Sequence, residues 1–341
     1  MNSMKITVRE IAAITGVSPA AVSLVLNNKE GVSAETRKRI TQVLQENNYV
    51  LPQKRKKHAG GTIRLIKYAA HGMIVEENQG FIASIIDQME RECFRNQYNL
   101  IMTGCNSDNA EETFTMVAGN PLDGVILVGS EMNDSIIRMM HQIKAPIVVI
   151  DNPMYYEQVD SVVMANEEIA FDAVSYLSKL GYDQIGYFKS SIRIANFERR
   201  EVGYQTALDK LPCKAGVSIS LTPTLKGAYE DMKTYLQHSP DLLSAAFFAD
   251  NDTIALGAMK ALQEAGFRIP EDISIIGIDD IPFSAINTPS LTTMRISRST
   301  IGKIAVDILL KRIKNNKSPY FHMQITGQLV ERNSTGKKLE K

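Results

Sequence analysis

The chain has 341 residues, 44% of them hydrophobic and 22% charged, with a formal net charge of zero. That length suggests about two to three domains, since single cores stop growing near roughly 250–300 residues, and the balance excludes a disordered, collagen-like or coiled-coil chain. Three cysteines, Cys93, Cys105 and Cys213, are too few and too widely spaced for a disulfide framework. No apolar run reaches the roughly 18 residues of a membrane span, so a cytoplasmic, nucleoid-associated protein is expected.

The charge is unevenly divided. Residues 1–60 carry ten basic and four acidic side chains, net +6, and the remainder is net −6, which suits the N-terminal piece to a polyanion. Within it, Thr7-Val8-Arg9-Glu10 has capping-box spacing. A short helix is predicted there, with Val8, Ile11, Ala12 and Ile14 as its apolar face and Gly16 as its end. Ser18 as N-cap and Pro19 at the first helical position open a second helix through Leu26, closed by Asn27-Asn28. A third runs from the Ser33 cap to about Asn47, with Ile40, Val43 and Leu44 inward. Three short helices, the first two joined by a glycine turn, describe an all-α helix-turn-helix headpiece over 1–49.

These residues resemble a known family. Thr7-Val8-Arg9-Glu10-Ile11-Ala12, Thr15-Gly16-Val17-Ser18, Val22-Ser23, Val25-Leu26-Asn27, Val32-Ser33 and Glu35-Thr36-Arg37 look like the headpiece of the LacI/GalR (lactose-repressor) family. The resemblance implies that the second helix enters the major groove of an operator. By position it puts Pro19, Ala20 and Leu24 at base edges, and Thr7, Ser18, Ala21, Ser23 and Asn27 near the DNA backbone. Leu24 stands where many members carry arginine, and it can touch a thymine methyl but cannot grip guanine. The basic linker 50–61 departs from the family's hinge: the proline of Tyr49-Val50-Leu51-Pro52 is shifted by one, and no leucine follows to wedge into a minor groove. Lys54 and Arg55, with Lys56 and Lys57, are the candidate phosphate contacts there, and Gly60-Gly61 marks the join to the core.

From Ile63 onward, apolar strand-like runs alternate with helical patterns, which predicts a two-lobed α/β core of parallel sheets flanked by helices. Strands are expected at 63–68, 98–103, 124–128, 146–150 and 161–164, then at 184–188, 216–220, 245–248 and 273–278. The expected layout is an N-terminal lobe over 62–164, rejoined by about 291–318, a C-terminal lobe over 165–290, rejoined by about 319–333, and a polar tail over 334–341. The resemblance continues through Leu122-Asp123-Gly124, Arg200-Glu201-Val202-Gly203-Tyr204, Asn251-Asp252, Gly277-Ile278-Asp279-Asp280 and Pro289-Ser290-Leu291-Thr292-Thr293. Such a core is similar to periplasmic sugar-binding proteins, with a small molecule held between the lobes.

By position, the resemblance carries effector contacts to Phe81, Asp151, Arg200, Asn251 and Asp279, whose donors and acceptors suit vicinal hydroxyls over an apolar floor at Phe81. Lys189 and Arg193 nearby hint at an anionic ligand. The expected protein is a repressor of a carbohydrate-utilisation operon, binding an inverted-repeat operator as a homodimer and answering to a sugar-like effector. Dimer contacts are expected around Ile85 to Met89 and on the helix after Ile281-Pro282-Phe283. Without a leucine heptad, the tail offers no tetramerising coiled coil. Three rival readings remain: a catabolite-control-type regulator using a phosphorylated carrier protein, a sugar sensor without DNA activity, and an α/β enzyme. The enzyme lacks Rossmann glycines, a P-loop, HExxH and a nucleophile elbow. The five histidines show no metal-ligand spacing, so no cofactor or metal is expected.

Overall fold

The computed structural model describes residues 7–26, 31–46, 61–75, 77–78, 80–239 and 242–338. The chain divides into two compact units, residues 1–59 and 60–341.

In the first unit, helix α1 (Val8–Thr15) opens on the expected capping box: Thr7 Oγ1 accepts from Glu10 N at 3.3 Å, and Glu10 Oε2 accepts from Thr7 N at 2.7 Å. Gly16, at φ +65, ends it in a left-handed turn that glycine adopts without strain. Helix α2 (Pro19–Leu26) follows the Ser18 cap, which accepts from Ala21 N at 3.2 Å, and α3 (Ala34–Glu46) follows the Ser33 cap, which accepts from Thr36 N at 3.2 Å. Ile11, Ala12, Val22 and Ile40 form the core, with Val17, Val25, Leu26, Val43 and Leu44 against it. Ile14 departs from expectation and is 59% exposed. Eight residues of helix present one narrow face to α2 and α3, and Ile11 and Thr15 already occupy it. Of the expected linker 50–61, residues 50–60, Lys54 and Arg55 among them, lie outside the described residues, as does Asn27.

The second unit holds two six-stranded sheets. The first is built from β1 (Thr62–Tyr68), β2 (Asn99–Cys105), β3 (Gly124–Val128), β4 (Ile147–Ile150) and β5 (Asp160–Met164), with α4 (Phe81–Arg95), α5 (Ala110–Gly119) and α6 (Asp134–Met140) between them. The second is built from β6 (Gln184–Ser190), β7 (Lys214–Leu221), β8 (Ala246–Ala249) and β9 (Ser274–Asp279), with α7 (Asn166–Lys179) leading in and α8 (Ala195–Lys210), α9 (Leu225–His238), α10 (Asp252–Glu264) and α11 (Pro282–Ile286) around it. Strands β10 (Thr292–Ile296), β11 (His322–Ile325) and β12 (Gly327–Val330) and helix α12 (Arg298–Lys314) complete both lobes. The orders are β11-β5-β4-β3-β1-β2 and β12-β10-β9-β8-β6-β7, parallel throughout except that β12 runs antiparallel to β10. Central strands such as β3 and β9 are buried along their whole length, the signature of a sheet covered on both faces.

Four expectations need correction here. The stretch 291–318 does not return as a block to the first lobe: β10 pairs with β9 in the second sheet, and only α12 crosses back, to pack on α4. Likewise β11 lies beside β5 in the first sheet before β12 returns to the second, so the lobes are joined at 164–166, 296–298 and 325–327. Strand pairing, not the order of apolar runs, decides this. The polar tail is also shorter than expected, because Ser334 Oγ accepts from Thr292 N at 2.8 Å and donates to Ile275 O at 2.6 Å, which buries it in the second lobe. Finally, Ile85 and Met89 are fully buried in the core, and the outward face of α4 is Asp87, Glu90, Arg91 and Phe94.

Gly203 lets α8 approach α7 closely: a Cβ there would collide with the carbonyl oxygen of Glu167. That close packing sets the position of Arg200, one turn earlier on α8.

Candidate functional site

In the headpiece, Pro19, Ala20 and Ser23 are exposed on α2, whereas Ala21 and Leu24 are half-buried. The Thr7 hydroxyl donates to Glu10 Oε2 at 2.8 Å, and Ser18 accepts from the Ala21 amide in the first turn of α2, so both expected backbone contacts double as helix caps. The face is uncharged and made of small side chains, which lets a helix sit close to a groove.

In the core, the ends of the strands converge on a small cavity between the lobes, lined among others by Phe81, Asp151, Arg200, Asn251 and Asp279. All five expected effector residues therefore meet. Arg200 is 2% exposed. Its Nε donates to Asn166 Oδ1 at 2.9 Å, one Nη donates to the Asp250 carbonyl, and the other lies 3.4 Å from Asp279 Oδ1. Asp151, just after β4, accepts from Asn196 Nδ2 at 2.7 Å and from the Ser130 hydroxyl. Burial pushes its carboxyl up to about 6, against the pull of Ser130, Arg200 and Asn196. Burial likewise raises Asp279, opposed by Arg200 and Asn78. Asp151 and Asp279 hold φ of +63 and +117, where a side chain strains the backbone by about 1–3 kcal/mol each.

Asn251 plays a narrower part than its residue type suggests. Its Oδ1 caps α10 by accepting from Ile254 N at 2.9 Å, which leaves the NH2 donor for a ligand. Phe81 sits buried in the first turn of α4, with the Arg298 guanidinium 5.6 Å from its ring. Lys189 pairs with Glu201 at 2.6 Å and Arg193 with Asp250 at 2.7 Å, so their charge is used inside the second lobe and the hint of an anionic ligand lapses. Asp280 binds Arg295 and Arg332, both at 2.6 Å, a structural task separate from that of Asp279.

The sequence reading missed Asn78, Asn196 and Phe197. Asn196 and Phe197 share the helix face of Arg200, a spacing visible in the sequence. Asn78 carried no such signal, yet it links the lobes: its Nδ2 donates to Asp279 Oδ2 at 3.2 Å, and its Oδ1 accepts from Thr253 at 3.2 Å. Among the described residues no cluster of His, Cys, Asp and Glu is arranged to hold a metal, and no helix is long and apolar enough to cross a membrane.

A helix-turn-helix unit joined to a two-lobed core with a charged cleft defines an effector-responsive DNA-binding regulator. Residues 7–51 match the family described as bacterial regulatory proteins, lacI family, and residues 174–335 match a periplasmic binding protein-like domain. The HTH-type transcriptional repressor PurR of Pasteurella multocida (strain Pm70) is 31% identical over 345 residues, covering 98% of this chain and 99% of the relative. The chain belongs to the lacI family: it is a DNA-binding transcriptional repressor with an effector-binding domain, and not an enzyme. Two solved structures share its fold. A transcriptional regulator CelR–cellobiose complex has a TM-score of 0.72 at 24% identity, covering 96% of this chain and 99% of its own. The Lac repressor dimer bound to operator and the anti-inducer ONPF has a TM-score of 0.71 at 22% identity, covering 98% and 100%.

Proposed function

We propose that this repressor acts as a homodimer on an inverted-repeat operator and controls a carbohydrate-utilisation operon through a sugar-like effector held between the lobes. The carrying observation is the cleft itself: two buried carboxylates flank one buried guanidinium beside an aromatic ring. Paired acceptors and a forked donor suit the vicinal hydroxyls of a sugar, and the ring suits its C–H face. CelR, with the same fold, is complexed with cellobiose. In this reading Asp151 and Asp279 accept from hydroxyls, Arg200 and Asn251 donate, and Phe81 forms the floor. Pro19, Ala20 and Leu24 face base edges, while Thr7, Ser18, Ala21, Ser23 and Asn27, with Lys54 and Arg55, hold the phosphates.

Exposed apolar side chains support the dimer. Phe94 and Met102 are 65% and 60% exposed beside the first sheet's β2 edge, and Ile286 on α11 is 74% exposed, as an unpaired protomer would leave them. One further effector class, a planar nucleobase, is favoured by the second ring, Phe197, in the cavity lining.

A thermal-shift screen against D-ribose, cellobiose, D-glucuronate, glucose 6-phosphate, adenine and adenosine tests the proposal. A compound at one hundred times its Kd adds about 2.7 kcal/mol to the folded state, a clear rise in Tm. A neutral sugar alone shifting Tm supports the reading, and adenine or adenosine alone replaces it with the nucleobase. A blank screen rejects these effector classes and directs attention to a protein co-regulator.

A further inference from the structure

Between β1 and α4 the backbone leaves the sheet and turns at 71–75 before reaching Asn78 and Phe81. Buried amides in such a turn have no ladder to satisfy them. They are gathered instead by one side chain from the loop after the neighbouring strand, β3. Glu131, three residues beyond β3 and with its side chain fully sequestered, accepts from His71 N at 2.9 Å and Gly72 N at 3.1 Å on Oε2. On Oε1 it accepts from Ile74 N at 2.9 Å and Val75 N at 3.1 Å. The His71 ring also touches it, Nδ1 lying 3.3 Å from Oε2.

Four amides converging on a carboxylate make a nest that only an acceptor of that charge and shape fills. What the nest holds in place matters for the cleft. Ile74 is 5% exposed and packs with Ile194 and Phe197 of the second lobe in an apolar cluster of its own, and all three line the cavity. The preceding residue, Ser130, donates its hydroxyl to Asp151. Adjacent residues at the end of β3 thus hold two different walls of the cavity.

We infer that Glu131 is a positioning residue for the effector site, fixing the backbone at 71–75 so that Ile74 forms the first lobe's half of the apolar contact over the cleft. The inference rests on the reading of that cleft as the effector site, but its main test does not need the effector. Hydrogen exchange is followed on the full chain without added compound, in the wild type and in Glu131→Gln. The amide isostere turns one end of the side chain into a donor facing donors. At least tenfold faster exchange at residues 71, 72, 74 and 75, with β3 and β8 unchanged, is the expected result. Unchanged exchange at 71–75 overturns the inference, as does acceleration spread over both sheets, which marks a merely structural role.

Ile74→Ser is the second variant: it removes the contact but leaves the nest, so exchange at 71–75 stays slow. Both variants should weaken, by at least tenfold, whichever of the six screened compounds binds, while the operator Kd measured without it stays within twofold. A compound that binds Glu131→Gln as tightly as wild type overturns the positioning role and leaves the cleft reading intact. If none of the six binds, that reading fails separately and exchange alone decides on Glu131.

Discussion

The headpiece and the cleft reach function by opposite routes. The headpiece is held by four buried apolar side chains and a set of local caps, each cap joining residues three apart. The exposed face of its α2 is small and uncharged. The cleft gathers Arg200, Asp151 and Asp279 out of water, and one of its lobe-bridging bonds joins Asn78 to Asp279 across 201 residues of sequence. Two of its carboxylates sit on left-handed backbone. A surface that reads a groove needs shape, whereas a site that recognises a small polar molecule needs dehydrated charge, which only long-range packing can hold in place.

The largest effect that could break this comparison is Arg200→Ala. Removing one partner of a buried ionic cluster costs about 3–5 kcal/mol, and here it also strips donors from Asn166, the Asp250 carbonyl and Asp279. Urea unfolding should show that loss and the effector response should vanish, while operator affinity without effector stays nearly intact. Equal loss of both functions would erase the division of labour.

Asp252→Asn comes next and sharpens the contrast within the core. Asp252 accepts from Ser284 Oγ at 2.6 Å, Ile281 N at 3.2 Å and Thr293 Oγ1 at 2.5 Å, and it is absent from the cavity lining. The variant should lose about 1–3 kcal/mol of stability with effector affinity preserved. Burial, reinforced by the Asp279 charge, lifts the Asp252 carboxyl from 3.8 to about 8. An acid whose folded pKa is raised binds more protons folded than unfolded between the two values, so stability falls as pH rises through that window. Denaturation midpoints of the wild type should therefore drop from about pH 5 to pH 8, and the variant should lose the upper part of that slope. A steeper slope in the variant would contradict the assignment.

Smaller effects belong to the headpiece. Thr7→Ala removes the hydroxyl that accepts from Glu10 N, leaving only the bond from the residue 7 amide to Glu10 Oε2, and should lower headpiece stability by about 1 kcal/mol, read in calorimetry as an earlier first transition with the core transition unmoved. Ser23→Ala should weaken binding to an operator recovered by in vitro selection by about two- to fivefold, the equivalent of about 0.5–1 kcal/mol, with effector binding unaltered. An unchanged gel-shift midpoint removes Ser23 from the phosphate contacts.

Legibility in the sequence follows the same divide. Capping boxes, the Gly16 turn and the alternation of strands and helices depend on neighbours along the chain, so the headpiece and the two α/β lobes could be read directly. Ile14 misled because an apolar residue on a short helix has no certain partner. The returns of β10 and β11 were misassigned because strand pairing is a long-range choice that short segments do not advertise. The five effector positions came from the family resemblance. Asn196 and Phe197 were within reach of helical spacing from Arg200. Asn78, and the pairing of Lys189 and Arg193 with acids, depend on what the fold brings alongside them.

The triple crossing between lobes bears on how the chain is made. By residue 290 the first sheet still lacks β11 and the α12 cover over α4, and the second lacks an interior strand and an edge strand. Synthesis from the N-terminus normally lets domains mature in turn, but here neither lobe can finish ahead of the other. Both close together, once residues 291–330 have been made. Until then β5 and β9 keep open margins, the kind of edge that can pair with another chain.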